Sequence, residues 1–314
     1  MDDQNLGIDL VYLWVDGSDP KWQKKKQAFT TTRNDNSETN AAGRYVNSNE
    51  LKYSLRSVEK HAPWIRNIFI VTDDQKPEWL NTDHPKINLI DHTQIIPLEV
   101  LPLFNSIAIE YFLYKIPGLS EHFLFSNDDM FFNGDLTPDF FFAKDGNPII
   151  CLKKRKFGKW KNLLRPIVKE DGHYRKTVIR SMSLIEKKCG KYYSGLPHHN
   201  IDSYRKSDYQ KAIEEVFNEE VKKSQIHRTR TDGDFYRSAI SYYSLAIGHG
   251  HIKYVNRKVS LRIQINTLQF KEKLELHTPS LFCLNDNENA TNEHRQEIQP
   301  FLEGLFPVKS AFEK

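Results

Sequence analysis

The sequence predicts an α/β protein: a mainly parallel, Rossmann-like sheet flanked by helices, with a mostly helical insertion in its C-terminal half. Two observations predict this. Short β-branched and aromatic runs alternate with amphipathic segments from residue 8 to about 150, the pattern of parallel strands joined by helical crossovers. A chain of 314 residues, 39% hydrophobic and 27% charged, also has enough apolar surface to bury a substantial core.

Residues 8–15 form an apolar run that stops at Asp16-Gly17-Ser18-Asp19-Pro20, which reads as a buried strand entering a polar turn. Residues 30–42, rich in Thr, Asn and Ser, read as a mobile loop. A helix is expected from Asn49, with Leu51, Leu55 and Val58 on one face and Pro63 as its stop. Further strands are expected at 67–72, 86–90 and 122–126, and an apolar helix at 104–116 that ends before Pro117-Gly118. The last of these strands runs into Asn127-Asp128-Asp129, so two acidic clusters sit at strand C-termini, where sheets of this type bind ligands. Helices at 208–221 and 235–247 and strands at 252–255 and 279–284 complete the pattern. The chain divides into a core (1–150), a basic and helical region (151–250) and a returning segment (251–314).

Composition narrows the function. Met1-Asp2-Asp3-Gln4 is acidic, and no run approaches about 18 apolar residues, so neither a leader nor a membrane span is expected and a cytoplasmic location fits. Cys151, Cys189 and Cys283 lie far apart, which disfavours a zinc site or a disulfide framework. No Gly-rich phosphate loop gives a sign of ATP or NAD. Net charge is only +4, yet residues 151–180 hold eleven Lys or Arg against Glu170 and Asp171. Such a stripe suits an anionic lipid surface, a polyanionic polymer or nucleic acid, or is an ordinary solvated face.

Four motifs carry chemistry. Asp128-Asp129 at a strand end can hold a hard cation that bridges diphosphate oxygens, or can merely cap a turn. Trp14-Val15-Asp16-Gly17-Ser18-Asp19 offers a ring, a glycine and two carboxylates for a nucleoside beside phosphates, or an Asp-Gly turn with Trp14 in the core. Pro197-His198-His199-Asn200-Ile201-Asp202 and His227-Arg228-Thr229-Arg230-Thr231-Asp232 combine imidazoles that take protons near neutrality with guanidiniums that fork onto phosphate, a phosphoryl-transfer pairing. The alternative is a polar loop, preferred for His198 and Arg228 taken singly. Phe282-Cys283-Leu284-Asn285-Asp286 is a strand ending in oxygen ligands or in a turn.

Together these motifs resemble the Stealth family of hexose-1-phosphate transferases, which includes bacterial capsule polymerases and the animal lysosomal-enzyme N-acetylglucosamine-phosphotransferase. Residues 8–20 look like its first conserved region. Residues 50–72, Leu101-Pro102-Leu103-Phe104-Asn105-Ser106 and Asn127-Asp128-Asp129-Met130-Phe131 look like its second. His199, Ile201, Asp202, His227 and Arg230 match its third, and residues 282–286 its fourth. Asn47 stands where the family often has an acidic residue and Leu103 where it has Thr, and the spacing to Ile201-Asp202 selects His199 over His198.

The resemblance implies a sheet of the nucleotide-sugar transferase type, a UDP-sugar donor of the N-acetylhexosamine class, and attack by a glycan hydroxyl on the phosphorus next to the donor sugar. UMP would leave and a phosphodiester of capsular or surface polysaccharide would form. Mg²⁺ or Mn²⁺ would sit on Asp129 and Asp286, with Asp128 in support. His199 would be the general base, and Arg230 and Arg56 would neutralise phosphate. Trp14, Val15, Asp16, Gly17, Asp19 and Asn105 would shape the nucleotide end. An oligosaccharide or growing polysaccharide is the expected acceptor, bound on the 151–250 side, and residues 151–180 would place the protein peripherally at the inner membrane face; nucleic acid is not an expected partner. Rival readings are a metal-dependent glycosyltransferase releasing UDP, and a non-catalytic polysaccharide- or nucleic-acid-binding protein. The sugar, the acceptor hydroxyl and the oligomeric state are not encoded in any motif.

Overall fold

The computed structural model describes residues 6–29, 45–154, 173–231, 233–267, 269–287 and 289–314. The main sheet has the order β3-β2-β1-β4-β8, built from β1 (Ile8–Leu13), β2 (Ile68–Thr72), β3 (Ile87–Asp91), β4 (His122–Asn127) and β8 (Asp202–Arg205). The first four are mutually parallel, and β8 closes one edge antiparallel to β4. Alternation along β1 explains why both faces are covered. Ile8, Leu10 and Tyr12 pack with Leu51, Leu55 and Val58 of α2 (Glu50–His61). Val11, with Phe69 and Val71 of β2, instead meets Ile107, Ala108 and Leu113 on the other side. A strand buried on both faces reads as a continuous apolar run, as residues 8–13 do.

Beyond Asn127 the chain turns at Asp128–Asp129 and returns as β5 (Met130–Phe132). This strand pairs antiparallel with β11 (Leu281–Asn285), which lies parallel to β10 (Ser260–Gln264). A third sheet joins β6 (Ile149–Lys153) between β7 (Leu196–Pro197) and β9 (His251–Tyr254). The segments 1–150, 151–250 and 251–314 are therefore interleaved: each small sheet and the edge of the main sheet draws strands from more than one of them.

Several expected elements differ. The helix expected at 104–116 is one short helix, Ser106–Glu110, followed by a 3-10 turn at Leu113–Lys115. The helix expected at 208–221 is divided: Lys206–Lys211, a π turn at Ala212–Val216, then Asn218–Ser224. Strand β10 was not anticipated, although Leu261 and Ile263 alternate with polar neighbours and are buried. The expected mobile loop, 30–42, lies outside the described residues, as do residues 155–172 of the basic stretch 151–180; the helix His173–Cys189 follows them. No helix among the described residues is long and apolar enough to cross a membrane.

The last residues are tied down. Asn81 N–H donates to Phe312 O (2.8 Å) and Lys314 N–H to Trp79 O (2.9 Å). Arg56, buried on α2, meets this tail and the helix Ile298–Leu305: its guanidinium donates to both oxygens of Glu313 (2.8 and 3.0 Å), to Phe306 O (2.7 Å) and to Glu303 (3.3 Å).

Candidate active site

A cavity of about 240 Å³ opens at the C-terminal ends of β1 and β4, between the main sheet and the loop that follows β7. One end is acidic. Asp128 and Asp129 sit in the turn between β4 and β5, Glu50 at the start of α2, and Asp286 just past β11, and all four line the cavity. Burial, with Asp129 and Asp286 nearby, pushes Glu50 up to about 7. Burial and the charges of Glu50 and Asp129 lift Asp128 well above the usual carboxylate range, and burial raises Asp129 to about 6. Asp129 accepts from the Cys283 thiol at 3.3 Å through Oδ2, while its buried Oδ1 has no hydrogen-bond partner among the described residues.

Among the described residues no three Asp, Glu, His or Cys side chains already converge as a coordination set. The donor chemistry nevertheless fits a hard divalent cation: crowded, mutually repelling carboxylates with an unmatched oxygen are what such an ion relieves. Glu50, Asp128 and Asp129 are the residues that would hold it. Asp286, expected as a ligand, lines the cavity but engages Arg295 through both oxygens (2.7 and 3.1 Å). Glu50 was missed as a site residue because, in sequence, it reads as the first residue of an amphipathic helix.

The nucleotide end, as the sequence predicted it, divides between this cavity and an adjoining hollow. Trp14 and Trp22 border both, Val15 only the first, Asp16 and Asp19 only the second. Gln75 fixes the turn: it accepts from Asp16 N–H (2.8 Å) and donates to Asp16 O (2.9 Å) and Asp19 Oδ2 (3.0 Å). Gly17 N–H donates to Tyr45 O at 2.9 Å, and a Cβ at Gly17 would lie 2.3 Å from that oxygen, so only glycine permits the approach. Three buried polar atoms missed by sequence reading lie at the ends of β2 and β3: Thr72 Oγ1, Asp73 Oδ2 and His92 Nδ1 have no hydrogen-bond partner among the described residues. Asp73 Oδ1 is held by Lys25 at 2.5 Å, and burial pushes His92 down to about 4, keeping it neutral.

The loop after β7 resolves the tandem imidazoles. His198 is buried, with Nε2 against Ile201 O (3.1 Å) and Nδ1 against Ser260 Oγ (3.0 Å). A carbonyl only accepts, so Nε2 carries a proton, and Asp202 Oδ1 lies 3.3 Å from the same nitrogen. His198 thus shapes the loop, and His199 lines the cavity. Its ring meets Tyr174 edge-on at 5.7 Å and has no hydrogen-bond partner among the described residues. Burial, reinforced by Arg262, Arg237 and Lys153, pushes His199 down to about 3, so its lone pair is free at neutral pH. Arg230 lines the same cavity and donates to Ser106 Oγ. Arg237, not anticipated, is buried beneath, paired with Glu110 (3.0 Å) and Asp202 (2.9 Å) over the Phe125 ring (4.0 Å).

Two expected site residues are structural instead. Arg56 does not line the cavity; its nitrogens are committed to the tail contacts described above, leaving none for phosphate. Asn105 is fully buried: it accepts from Ile107 N–H (3.1 Å) as a helix cap and donates to Asp234 Oδ2 (2.8 Å) and His227 O (3.2 Å), holding the loop that bears Arg230.

Comparison with known proteins decides the family. Descriptions of Stealth conserved regions 1, 2 and 4 match residues 7–32, 44–150 and 273–314. A capsular polysaccharide phosphotransferase of Neisseria meningitidis serogroup B is 34% identical over 98% of the chain and 84% of its own length. The chain belongs to the Stealth family. An exopolysaccharide phosphotransferase of Streptomyces coelicolor is 34% identical over 98% of the chain, and the capsular polysaccharide phosphotransferase SacB of N. meningitidis serogroup A is 31% identical over 100%. The chain spans 51% and 58% of those two relatives.

A crystal structure of the galactosyltransferase LgtC with donor and acceptor sugar analogues superposes with a TM-score of 0.50 at 11% identity, covering 96% of each chain. The fold of this Stealth protein is accordingly that of GT-A type glycosyltransferases. Within it, Stealth region 1 carries the Asp16–Asp19 turn, region 2 carries Glu50, Asp128 and Asp129, and region 4 carries Asp286, while His199 and Arg230 come from the chain between regions 2 and 4.

Proposed function

We propose that this Stealth protein transfers sugar-1-phosphate from a UDP-sugar, of the N-acetylhexosamine class, to a hydroxyl of a glycan acceptor, forming a phosphodiester and releasing UMP. The observation that carries the reading is the arrangement of one cavity: His199, held neutral and with no hydrogen-bond partner among the described residues, and Arg230 line the same space as Glu50, Asp128 and Asp129, whose carboxyls burial holds above their ordinary range. The relatives named as capsular and exopolysaccharide phosphotransferases support it.

In this reading the nucleoside lies against Trp14 and the free polar atoms of Thr72, Asp73 and His92. Asp73 Oδ2 accepts the N3–H of uracil. A divalent cation at Glu50, Asp128 and Asp129 would supply charge neutralisation for the diphosphate. His199 takes the proton from the acceptor hydroxyl as its oxygen bonds to the phosphorus next to the donor sugar. The bond from that phosphorus to the oxygen bridging to UMP breaks, and Arg230 meets the negative charge on the transferring group. Bound phosphate raises the basicity of His199 by offsetting the cations that now depress it.

The test is nucleotide release from a panel of UDP-sugars with a short oligosaccharide acceptor, with Mg²⁺ or a chelator. UMP that requires both acceptor and metal is the expected result. UDP in its place would move the protein to the glycosyltransferases whose fold it shares.

A further inference from the structure

The residue after His199 carries an unmatched group of its own. Asn200 lines the cavity and is 1% exposed. Its amide has a fixed orientation: Oδ1 accepts from Ile201 N–H at 3.1 Å. A main-chain N–H only donates, so the atom facing it is the oxygen and the NH₂ end is left over. That nitrogen, Nδ2, has no hydrogen-bond partner among the described residues. A buried donor without a partner is costly, and one that borders a cleft points to a ligand atom that accepts from it. The loop around it is clamped. His198 Nε2 meets Ile201 O at 3.1 Å, so the side chains of His198 and Asn200 hold both main-chain polar groups of Ile201. The Ile201 side chain packs in the same apolar cluster as Leu124 of β4 and Met130 of β5, the strands on either side of the Asp128–Asp129 turn. The amide and the carboxylates are thus set by one piece of core.

Electrostatics select the class of atom that would accept. Arg262, Arg237 and Lys153 all bear on His199, and Arg262 bears on Asp129 as well, so positive charge reaches the loop that carries Asn200. There an anionic oxygen is a better partner than a neutral carbonyl or hydroxyl, and a hydrogen bond to it is the stronger one. We propose that Asn200 donates through Nδ2 to a non-bridging oxygen of the phosphoryl group being transferred. The inference rests on the transfer reaction above and adds to it a neutral group, beside Arg230, that touches the reacting phosphorus. The acceptor oxygen bonds to phosphorus, its proton passes to His199, and the bond from phosphorus to UMP breaks with its electron pair. Asn200 keeps both N–H protons throughout. A clamped amide neither titrates nor has to reorganise, so its effect grows as charge builds on the oxygen and falls on the barrier more than on donor binding.

The experiment measures UMP release by the full chain, Asn200→Ala and Asn200→Asp over the panel of UDP-sugars, each N-acetyl donor beside its plain hexose counterpart, with a short oligosaccharide acceptor and Mg²⁺. Asn200→Asp keeps an oxygen for Ile201 N–H and lacks the amide donor, so it separates the two ends of the side chain. Expected results are kcat lowered about 10²- to 10³-fold in both variants, a donor KM within about threefold of wild type, and the same loss with acetylated and plain donors. Donors with sulfur at one non-bridging position of the transferred phosphorus give a second readout. One diastereomer is slowed about tenfold or more in the wild type, and that penalty shrinks in both variants, either of which suffices if the other does not fold. Wild-type turnover in Asn200→Asp would reduce Asn200 to a holder of the loop and overturn the proposal. A loss confined to N-acetyl donors would overturn it too, by assigning the amide to the sugar. No UMP from the wild type with any donor would overturn the transfer reaction itself and this assignment with it.

Discussion

Glu50 and Arg56 lie six residues apart on one helix and meet opposite treatment. Arg56 is buried with every need met: two oxygens of Glu313, a main-chain carbonyl and Glu303 surround it, and Glu313 is held in return at about 2. Glu50 accepts from the Ser48 N–H (2.7 Å) but meets no cation, and burial, with Asp129 and Asp286 nearby, drives it up to about 7. A buried charge that is fully matched is architecture, and removing one partner strands the other. A buried charge left unmatched in a cleft marks a place reserved for a ligand.

The sharpest test of that contrast is at the unmatched end. His199→Ala is expected to lower turnover by about 10²- to 10⁴-fold, the range for loss of a general base, while leaving the melting temperature undiminished. A variant that retained more than about a tenth of wild-type turnover would remove His199 from proton transfer.

Next in size is the matched end: Arg56→Ala should lose about 3–5 kcal/mol in denaturant unfolding, with turnover per folded molecule preserved. Lost turnover without lost stability would reverse the roles drawn here.

Smaller still is the acid limb of stability. His92 and His199 lie at about 4 and about 3 in the folded protein, against about 6.5 when unfolded. Below about 6.5 the unfolded chain binds protons that the folded one refuses, so stability present above that pH falls as pH drops toward 4 and then 3. The slope is at most about 1.4 kcal/mol per pH unit for each group. Unfolding curves of His199→Asn should show a shallower acid limb than wild type; an identical limb would mean that the ring is not held neutral.

The smallest effect has the opposite sign. Asp128→Asn relieves repulsion among the carboxylates and should stabilise the ligand-free protein by about 0.5–2 kcal/mol while abolishing transfer, as removal of strained site charges does elsewhere. A destabilised Asp128→Asn would show that the acidic pole is held together by contacts rather than strained by charge.

The strands of the main sheet were legible because double burial writes itself as an uninterrupted apolar run, and the acidic turn was legible because it follows one. Strand β5 was not, since three residues carry no period and its partner β11 is far along the chain. Arg56 and Asn105 misled for a different reason. Their motif is real, but a motif records that a residue type is needed and not whether it faces a ligand or another part of the fold. Glu50, Asp73 and His92 were silent because each is an ordinary polar residue at the edge of an element, and only their three-dimensional setting, a carboxyl raised by burial and two buried atoms without a hydrogen bond among the described residues, singles them out.

The pairing of β4 with β8 and of β5 with β11 also has a consequence for how the chain matures. As the polypeptide is made, the parallel strands and their carboxylates emerge first, with one sheet edge and the short β5 still lacking neighbours. The wall bearing His199 arrives later, and the strand that steadies Asp129 arrives last. Contacts so distant in sequence close slowly, and an open edge is adhesive while it waits. A nascent chain interrupted before residue 281 has β5 without its partner strand and Asp129 without the Cys283 thiol.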